Sequence, residues 1–103
     1  MSNDTFESAT ITKRANVYYD GSVTSRSLVT DDGVRKTLGI MHPGEYEFET
    51  EDEEHIELYA GRLTATVDGE STEYGAGESF TVPAATTFEV SVAELVDYCC
   101  TYE

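Results

Sequence analysis

From residue 16 onward, apolar and polar residues alternate with a period of two, and turn signals cut the pattern into short runs. Successive residues of a strand point to opposite faces, so this period marks half-buried strands. Residues 45–50 show it cleanly, with Tyr46 and Phe48 between Glu45, Glu47 and Glu49. Residues 87–92 repeat it with Phe88, Val90 and Val92 on one face. The interruptions are Asp20-Gly21, residues 31–33, Pro43-Gly44, Asp68-Gly69 and residues 75–77. Asp-Gly between two alternating runs is a type I′ hairpin signal. Strands are expected at 16–19, 23–30, 34–41, 45–50, 55–60, 62–67, 70–74, 78–82, 87–92 and 95–102. No segment carries a convincing helical period, so the chain reads as all-β.

A length of 103 residues allows one domain. Residues 1–14 lack periodicity and are expected to form an N-terminal arm, with residues 15–103 as a single barrel domain. Seven Tyr and four Phe supply enough aromatic surface for a core without covalent staples. Gly61, then Gly77, five residues and Pro83 follow the glycine and proline spacing of the cupin double-stranded barrel. The expected fold is therefore a single cupin-type β-barrel, a jelly roll.

Charge limits the partners. Twenty-one Asp and Glu against six Lys and Arg give a net charge of −15. Phosphate backbones are held by clustered cations, so a nucleic-acid surface is excluded. No apolar run approaches the ~20 residues of a spanning helix, and the start lacks a basic segment followed by an apolar one. The expected compartment is the cytoplasm, with no membrane partner. Two origins of the acidity stay open: a salt-loaded cytoplasm, where hydrated carboxylates are screened, or an ordinary acidic protein. Cys99 and Cys100 are adjacent and point to opposite faces of a strand, so they are expected to be buried free thiols. No basic residue near them in sequence would generate a reactive thiolate.

Five of the six cations lie between Lys13 and Lys36. With residues 31–33 as a three-residue loop, Leu28 pairs Lys36, and Arg26 lies diagonal to it. Val34, Leu38 and Ile40 are expected to face inward, which carries Lys36 and Arg26 with them. Inward cations are costly to desolvate unless an anion visits. They are either an anion site or side chains that reach the rim or pair internally. Glu49, Glu51 and Glu54 sit at a strand-to-loop edge. An ionised Glu there accepts hydrogen bonds from ribose-type hydroxyls, although most of residues 45–57 read as a solvated face.

A metal centre needs several ligands converging at one point. Against the usual cupin pattern, Glu54 matches the Glu, but Glu49, Glu51 and Phe88 occupy the His positions. His42 and His55 fall elsewhere. No metal and no other cofactor is expected. No Ser-His-Asp order, GxSxG elbow or phosphate-binding glycine loop occurs.

Taken together, the segments Ala15-Asn16-Val17-Tyr18-Tyr19-Asp20-Gly21, Ser25-Arg26, Lys36-Thr37-Leu38-Gly39, Pro43-Gly44-Glu45-Tyr46-Glu47-Phe48, Gly77-Glu78-Ser79-Phe80-Thr81-Val82-Pro83 and Tyr98-Cys99-Cys100-Thr101-Tyr102 resemble the pyrimidine/purine nucleoside phosphorylase family. The likeness runs from about Phe6 to the C-terminus. It implies a small cupin without the usual metal ligands, acting as a homodimer. It implies phosphorolysis of purine and pyrimidine nucleosides to free base and α-D-ribose 1-phosphate, with inorganic phosphate as co-substrate. The acidic stretch at residues 51–54 departs from the family.

Under that resemblance Arg26 and Glu54 are the catalytic candidates. Arg26 and Lys36 would hold phosphate, by a planar fork and a point charge respectively. Glu54 would stabilise positive charge on the sugar or hold its hydroxyls. Ser25, Thr37, Tyr18, Tyr46 and Phe80 complete the substrate-binding candidates. Tyr18, Tyr46, Phe48 and Phe80 are each either core or a stacking platform for the base. The competing function is a non-catalytic cupin that binds a sugar or nucleotide.

Overall fold

The structure, a computed structural model, describes residues 4–103. The first three residues of the expected arm lie outside the described residues. Nine strands follow in chain order: β1 (Thr10–Ile11), β2 (Asn16–Tyr18), β3 (Val23–Val29), β4 (Arg35–Met41), β5 (Gly44–Glu49), β6 (Glu54–Val67), β7 (Glu70–Gly75), β8 (Ser79–Val82) and β9 (Thr87–Tyr102). One turn of 3-10 helix, Tyr19–Gly21, joins β2 to β3. No helix among the described residues is long and apolar enough to cross a membrane.

The expected strands are present, but two pairs are fused. Residues 55–60 and 62–67 belong to one strand, β6, and residues 87–92 and 95–102 belong to β9. Gly61 does not break β6. Its φ of +90° sits among register shifts between β6 and β9, from Leu58 to Leu63. A Cβ at this position would lie 2.1 Å from the Leu95 carbonyl oxygen. Glycine lets the two backbones close on each other through the irregularity. The Asp68-Gly69 turn has positive φ at both residues, as a type I′ turn requires.

The expected jelly-roll barrel is not formed. The nine strands make one open sheet with the path β1-β3-β4-β9-β6-β7, while β2 pairs β3, β5 pairs β9 and β8 pairs β6. A barrel closes only when the ends of such a path pair with each other. Here the terminal strands β1 and β7 do not. β1 offers two ladder positions, Thr10↔Val29 and Ile11↔Leu28, and no residue of β7 is fully buried. The glycine and proline spacing correctly places turns, but closure depends on the edges.

β9 is the centre of the sheet. Residues 87–92 pair with β5 and with the second half of β6. Residues 96–101 pair with β4 and with the first half of β6. One core draws on both halves, with Leu58, Leu63, Val82, Val90 and Val96 almost wholly buried. Each such side chain stabilises the fold by about 1.5–3 kcal/mol relative to exposure.

The β3–β4 hairpin has the expected register, Leu28↔Lys36 and Arg26↔Leu38. The expected facing is reversed. Thr37 is buried and Leu38 is 36% exposed. Val23, Ser25, Thr37 and Met41 face the core side, and Arg26, Lys36 and Leu38 lie on the opposite face. A shift of one residue in parity moves every side chain across the sheet.

Candidate active site

The side chains that face inward from β3 and β4 do not meet a packed core along their whole length. They wall a cavity of about 520 Å³. That lies within the ~300–1,000 Å³ of typical small-molecule sites. Val23, Met41 and Ile56 supply its apolar floor. Tyr18, Tyr19, Phe48, Phe88, Tyr98 and Tyr102 supply aromatic walls. Ser25, Thr37, Glu47, Glu49, Glu54 and Cys100 supply the polar groups.

The sheet builds this cavity in rows. β4, β9 and β6 are neighbours, with Thr37 opposite Cys100 and Cys100 opposite Ile56. One row away, Tyr102 lies opposite Glu54. In the other direction Gly39 lies opposite Tyr98. A Cβ on Gly39 would stand 2.8 Å from the Tyr98 hydroxyl and 2.2 Å from the Thr24 carbonyl oxygen. Glycine at this point makes room for the phenol that lines the cavity.

Hydrogen bonds hold Ser25, Thr37, Glu54 and Cys100 in place. Asn16 donates from Nδ2 to the hydroxyls of Ser25 at 3.2 Å and Ser27 at 3.0 Å. Ser25 is also hydrogen-bonded to the Tyr98 phenol. The Thr37 and Tyr102 hydroxyls lie 3.3 Å apart. Cys100 donates from Sγ to Oε1 of Glu54 at 3.4 Å. The 3-10 turn swings Tyr19 over β5, where its hydroxyl donates to the Glu47 carbonyl and accepts the Glu47 N–H at 2.9 Å. Its ring packs 5.0 Å from Tyr46 and edge-on to Phe48 at 5.9 Å, centre to centre.

Burial sets the protonation states. It raises the Glu54 carboxyl pKa, which the Cys100 hydrogen bond lowers in part and the charge of Asp52 raises further. Burial likewise pushes up the Tyr98 and Tyr102 phenols and the Cys100 thiol. These three therefore stay protonated at neutral pH. Cys99 and Cys100 are free and buried, as expected.

Of the sequence candidates, the structure brings Tyr18, Ser25, Thr37, Phe48, Glu49 and Glu54 together around the cavity. Arg26, Lys36, Tyr46, Phe80 and Glu51 are not among its lining residues. Arg26 donates to the Lys13 carbonyl. Lys36 donates to the Thr101 hydroxyl at 2.8 Å and sits 5.4 Å over the Phe6 ring. Tyr46 is core, its hydroxyl donating to the His42 carbonyl at 2.7 Å. Phe80 is buried and stacks on Tyr74 at 4.5 Å. Tyr19, Glu47, Phe88, Tyr98, Cys100 and Tyr102 line the cavity without having been singled out as binding candidates. Alternation was the available signal for Tyr98, Cys100 and Tyr102, which share a face of β9.

Among the described residues, no three His, Cys, Asp or Glu side chains converge as a metal site. His55 contacts Thr81 through Nδ1 at 3.1 Å, and neither histidine lines the cavity.

A family model described as pyrimidine/purine nucleoside phosphorylase matches residues 13–102. The chain belongs to that family. The resemblance read from the motifs therefore holds over most of the chain. A pyrimidine/purine nucleoside phosphorylase of Leptospira interrogans is 48% identical over 99 residues, covering 94% of this chain and 93% of the relative. Its counterpart in Colwellia psychrerythraea is 51% identical over 100 residues, covering 94% and 95%. A crystal structure of an Acinetobacter protein of unknown function superposes with a TM-score of 0.90 at 35% identity, covering 96% of this chain and 98% of that one. Family membership and the cavity together make the cavity wall the place to look for the chemistry.

Proposed function

We infer that this family member is an enzyme that cleaves purine and pyrimidine nucleosides with inorganic phosphate, giving free base and α-D-ribose 1-phosphate. A phosphate oxygen attacks C1′ of the ribose from the side opposite the base. The C1′–N bond breaks, its electron pair leaves with the base, and the base is protonated. Phosphate is the co-substrate, and no resident cofactor takes part.

The observation that carries this reading is the composition of the cavity wall. Six aromatic rings share the wall with the Ser25 and Thr37 hydroxyls and the carboxyls of Glu47, Glu49 and Glu54. Aromatic faces hold any base by stacking, which suits a site that accepts both ring classes. Glu54, as carboxylate, accepts hydrogen bonds from ribose hydroxyls and stabilises positive charge as the sugar approaches its transition state. Ser25 and Thr37 orient the sugar, and Tyr18 closes over the base at the mouth. The fuller reading includes a homodimer working in the cytoplasm. Light scattering at several concentrations tests the dimer.

The deciding experiment incubates the pure protein with uridine or guanosine, with and without inorganic phosphate, in the presence of EDTA. Free base and ribose 1-phosphate in equal amounts, only with phosphate, are expected. Nucleoside binding without base release would leave a binding protein in place of an enzyme.

A further inference from the structure

Phosphate carries its charge into the site, yet among the described residues no Lys or Arg lines the cavity. Arg26 and Lys36 belong to the other face of the sheet, and Arg62 is engaged by Glu73 and Glu94. The remaining strand-borne cation is Arg35, the first residue of β4. Strand alternation puts Arg35 on the same face as Thr37 and Met41, both of which line the cavity. The pairings Lys36↔Thr101 and Glu54↔Tyr102 place it one strand from Tyr102 and two from Glu54. Its guanidinium lies 5.6 Å from the centre of the Tyr102 ring, and the Tyr102 hydroxyl is 3.3 Å from that of Thr37.

We propose that Arg35 is the residue that positions the phosphate co-substrate at the mouth of the cavity, and that Asp52 occupies its fork until phosphate arrives. This rests on the phosphorolysis reading above. Arg35 donates from Nη2 to Oδ2 of Asp52 at 3.0 Å, with the two side chains 60% and 49% exposed. Surface ion pairs of this kind are weak. A phosphate that takes two parallel N–H bonds from the guanidinium and a third from the Thr37 or Tyr102 hydroxyl has the better set of contacts. Burial raises the Glu54 carboxyl pKa, and the Asp52 charge adds to it, so Asp52 lies within electrostatic reach of Glu54. Displacing Asp52 from Arg35 would thus be felt at the carboxyl that holds the sugar. Arg35 contacts a reactant under this proposal, whereas Asp52 acts only through Arg35.

The test compares wild type with Arg35→Gln, Arg35→Lys and Asp52→Asn. Inorganic phosphate alone is titrated calorimetrically at fixed chloride, and the KM for phosphate and for uridine is measured separately. Arg35→Gln is expected to raise the phosphate Kd and KM about tenfold or more, equivalent to ~1.4 kcal/mol, while the uridine KM stays within about twofold. Arg35→Lys keeps the charge without the fork and is expected to fall in between. Asp52→Asn is expected to lower the phosphate Kd and KM. Unchanged phosphate binding in Arg35→Gln, or an equal rise in both KM values, overturns the proposal. So does tighter retention of phosphate with Asp52 than without it. Both positions are exposed, and melting curves confirm that the variants fold. If wild type releases no base, the phosphorolysis reading fails, and the calorimetric titration still decides whether Arg35 binds phosphate.

Discussion

The Cys100 thiol and the Glu54 carboxyl form a hydrogen bond across the β9–β6 ladder, with sulfur donating to Oε1 at 3.4 Å. Cys100 is opposite Ile56, two residues from Glu54, so the contact runs diagonally between adjacent strands. The thiol partly offsets the burial that pushes the carboxyl pKa up. Cys100→Ala removes that donor and should raise the Glu54 pKa further. Activity that needs the carboxylate should then fall away at a higher pH on the acid side. Cys100→Ser keeps a donor and should not move the limb upward. The measurement is kcat/KM against pH for all three proteins, and coincident profiles for wild type and Cys100→Ala would remove the thiol from this role.

Glu54→Gln should separate activity from stability. Hydrogen bonds to a charged group contribute about 1.5–3 kcal/mol, so kcat/KM for nucleoside should drop roughly 10- to 150-fold. Stability should move the other way at neutral pH. A carboxyl whose folded pKa is raised destabilises the native state above that pKa, and the penalty disappears as pH falls through it. The variant should therefore melt higher than wild type at pH 7, and the difference should shrink as pH falls through the raised pKa. A variant equally active, or one that melts lower at pH 7, would contradict this account.

Tyr18 lines the cavity while 49% exposed, so its removal should leave the fold intact. Base–aromatic stacking is worth about 1–3 kcal/mol per base. Tyr18→Ala should raise the KM for uridine and guanosine together, by several-fold or more, and leave the phosphate KM alone. A rise confined to phosphate would place the ring elsewhere in the reaction.

Gly39→Ala should damage the fold at the cavity wall. The new Cβ would meet backbone at Thr24 and side chains at Ser25 and Tyr98, all at 2.8 Å or less. Overpacking of this kind typically costs about 1–3 kcal/mol. At roughly 4–8 °C per kcal/mol for a domain near this size, thermal melting should show a clear drop. An unchanged midpoint would mean that β3 and β9 can move apart.

Stability should also rise with salt. Eight acids lie in residues 45–57, and the net charge is −15. The Debye length is ~30 Å at 0.01 M and ~3 Å at 1 M, so molar salt screens repulsion that dilute buffer leaves intact. Melting in KCl, with sucrose as an uncharged control, should give midpoints that climb with KCl. A flat or falling series would leave an ordinary acidic protein.

Turns and strand identities were legible because Gly, Pro and period-two alternation are local chemistry. The Asp68-Gly69 turn and the Leu28↔Lys36 register follow from such signals alone. The facing of β4 did not. Leu38 and Ile40 look like core, and Thr37 and Gly39 look like surface, when every apolar side chain is assumed to turn inward. A cavity wall inverts that rule, since it needs small and polar groups where a packed core would put Leu. The same inversion hid Arg35 and promoted Lys36. Closure of the sheet was illegible for another reason. It depends on whether two distant edges meet, which no local spacing records. Glu54 drew attention because its spacing from Gly61 matches the Glu of the usual cupin pattern, and the structure places it on the cavity wall.

β9 has a consequence for how the chain comes to be folded at all. The hairpin of β3 with β4 and that of β6 with β7 can each form from neighbouring residues. Neither touches the other in the sheet path except through β9, which is also the strand that β5 pairs with. During synthesis, both hairpins must wait without a shared core until residues 87–102 leave the ribosome. Contacts between residues far apart in sequence form late and make folding slow. β7, the outer strand of the second hairpin, carries Glu70 and Glu73, and charge on an edge strand disfavours edge-to-edge pairing. Dense acidity thus acts on the unfinished chain as well as on the folded protein, since like charges on exposed strands repel neighbouring copies.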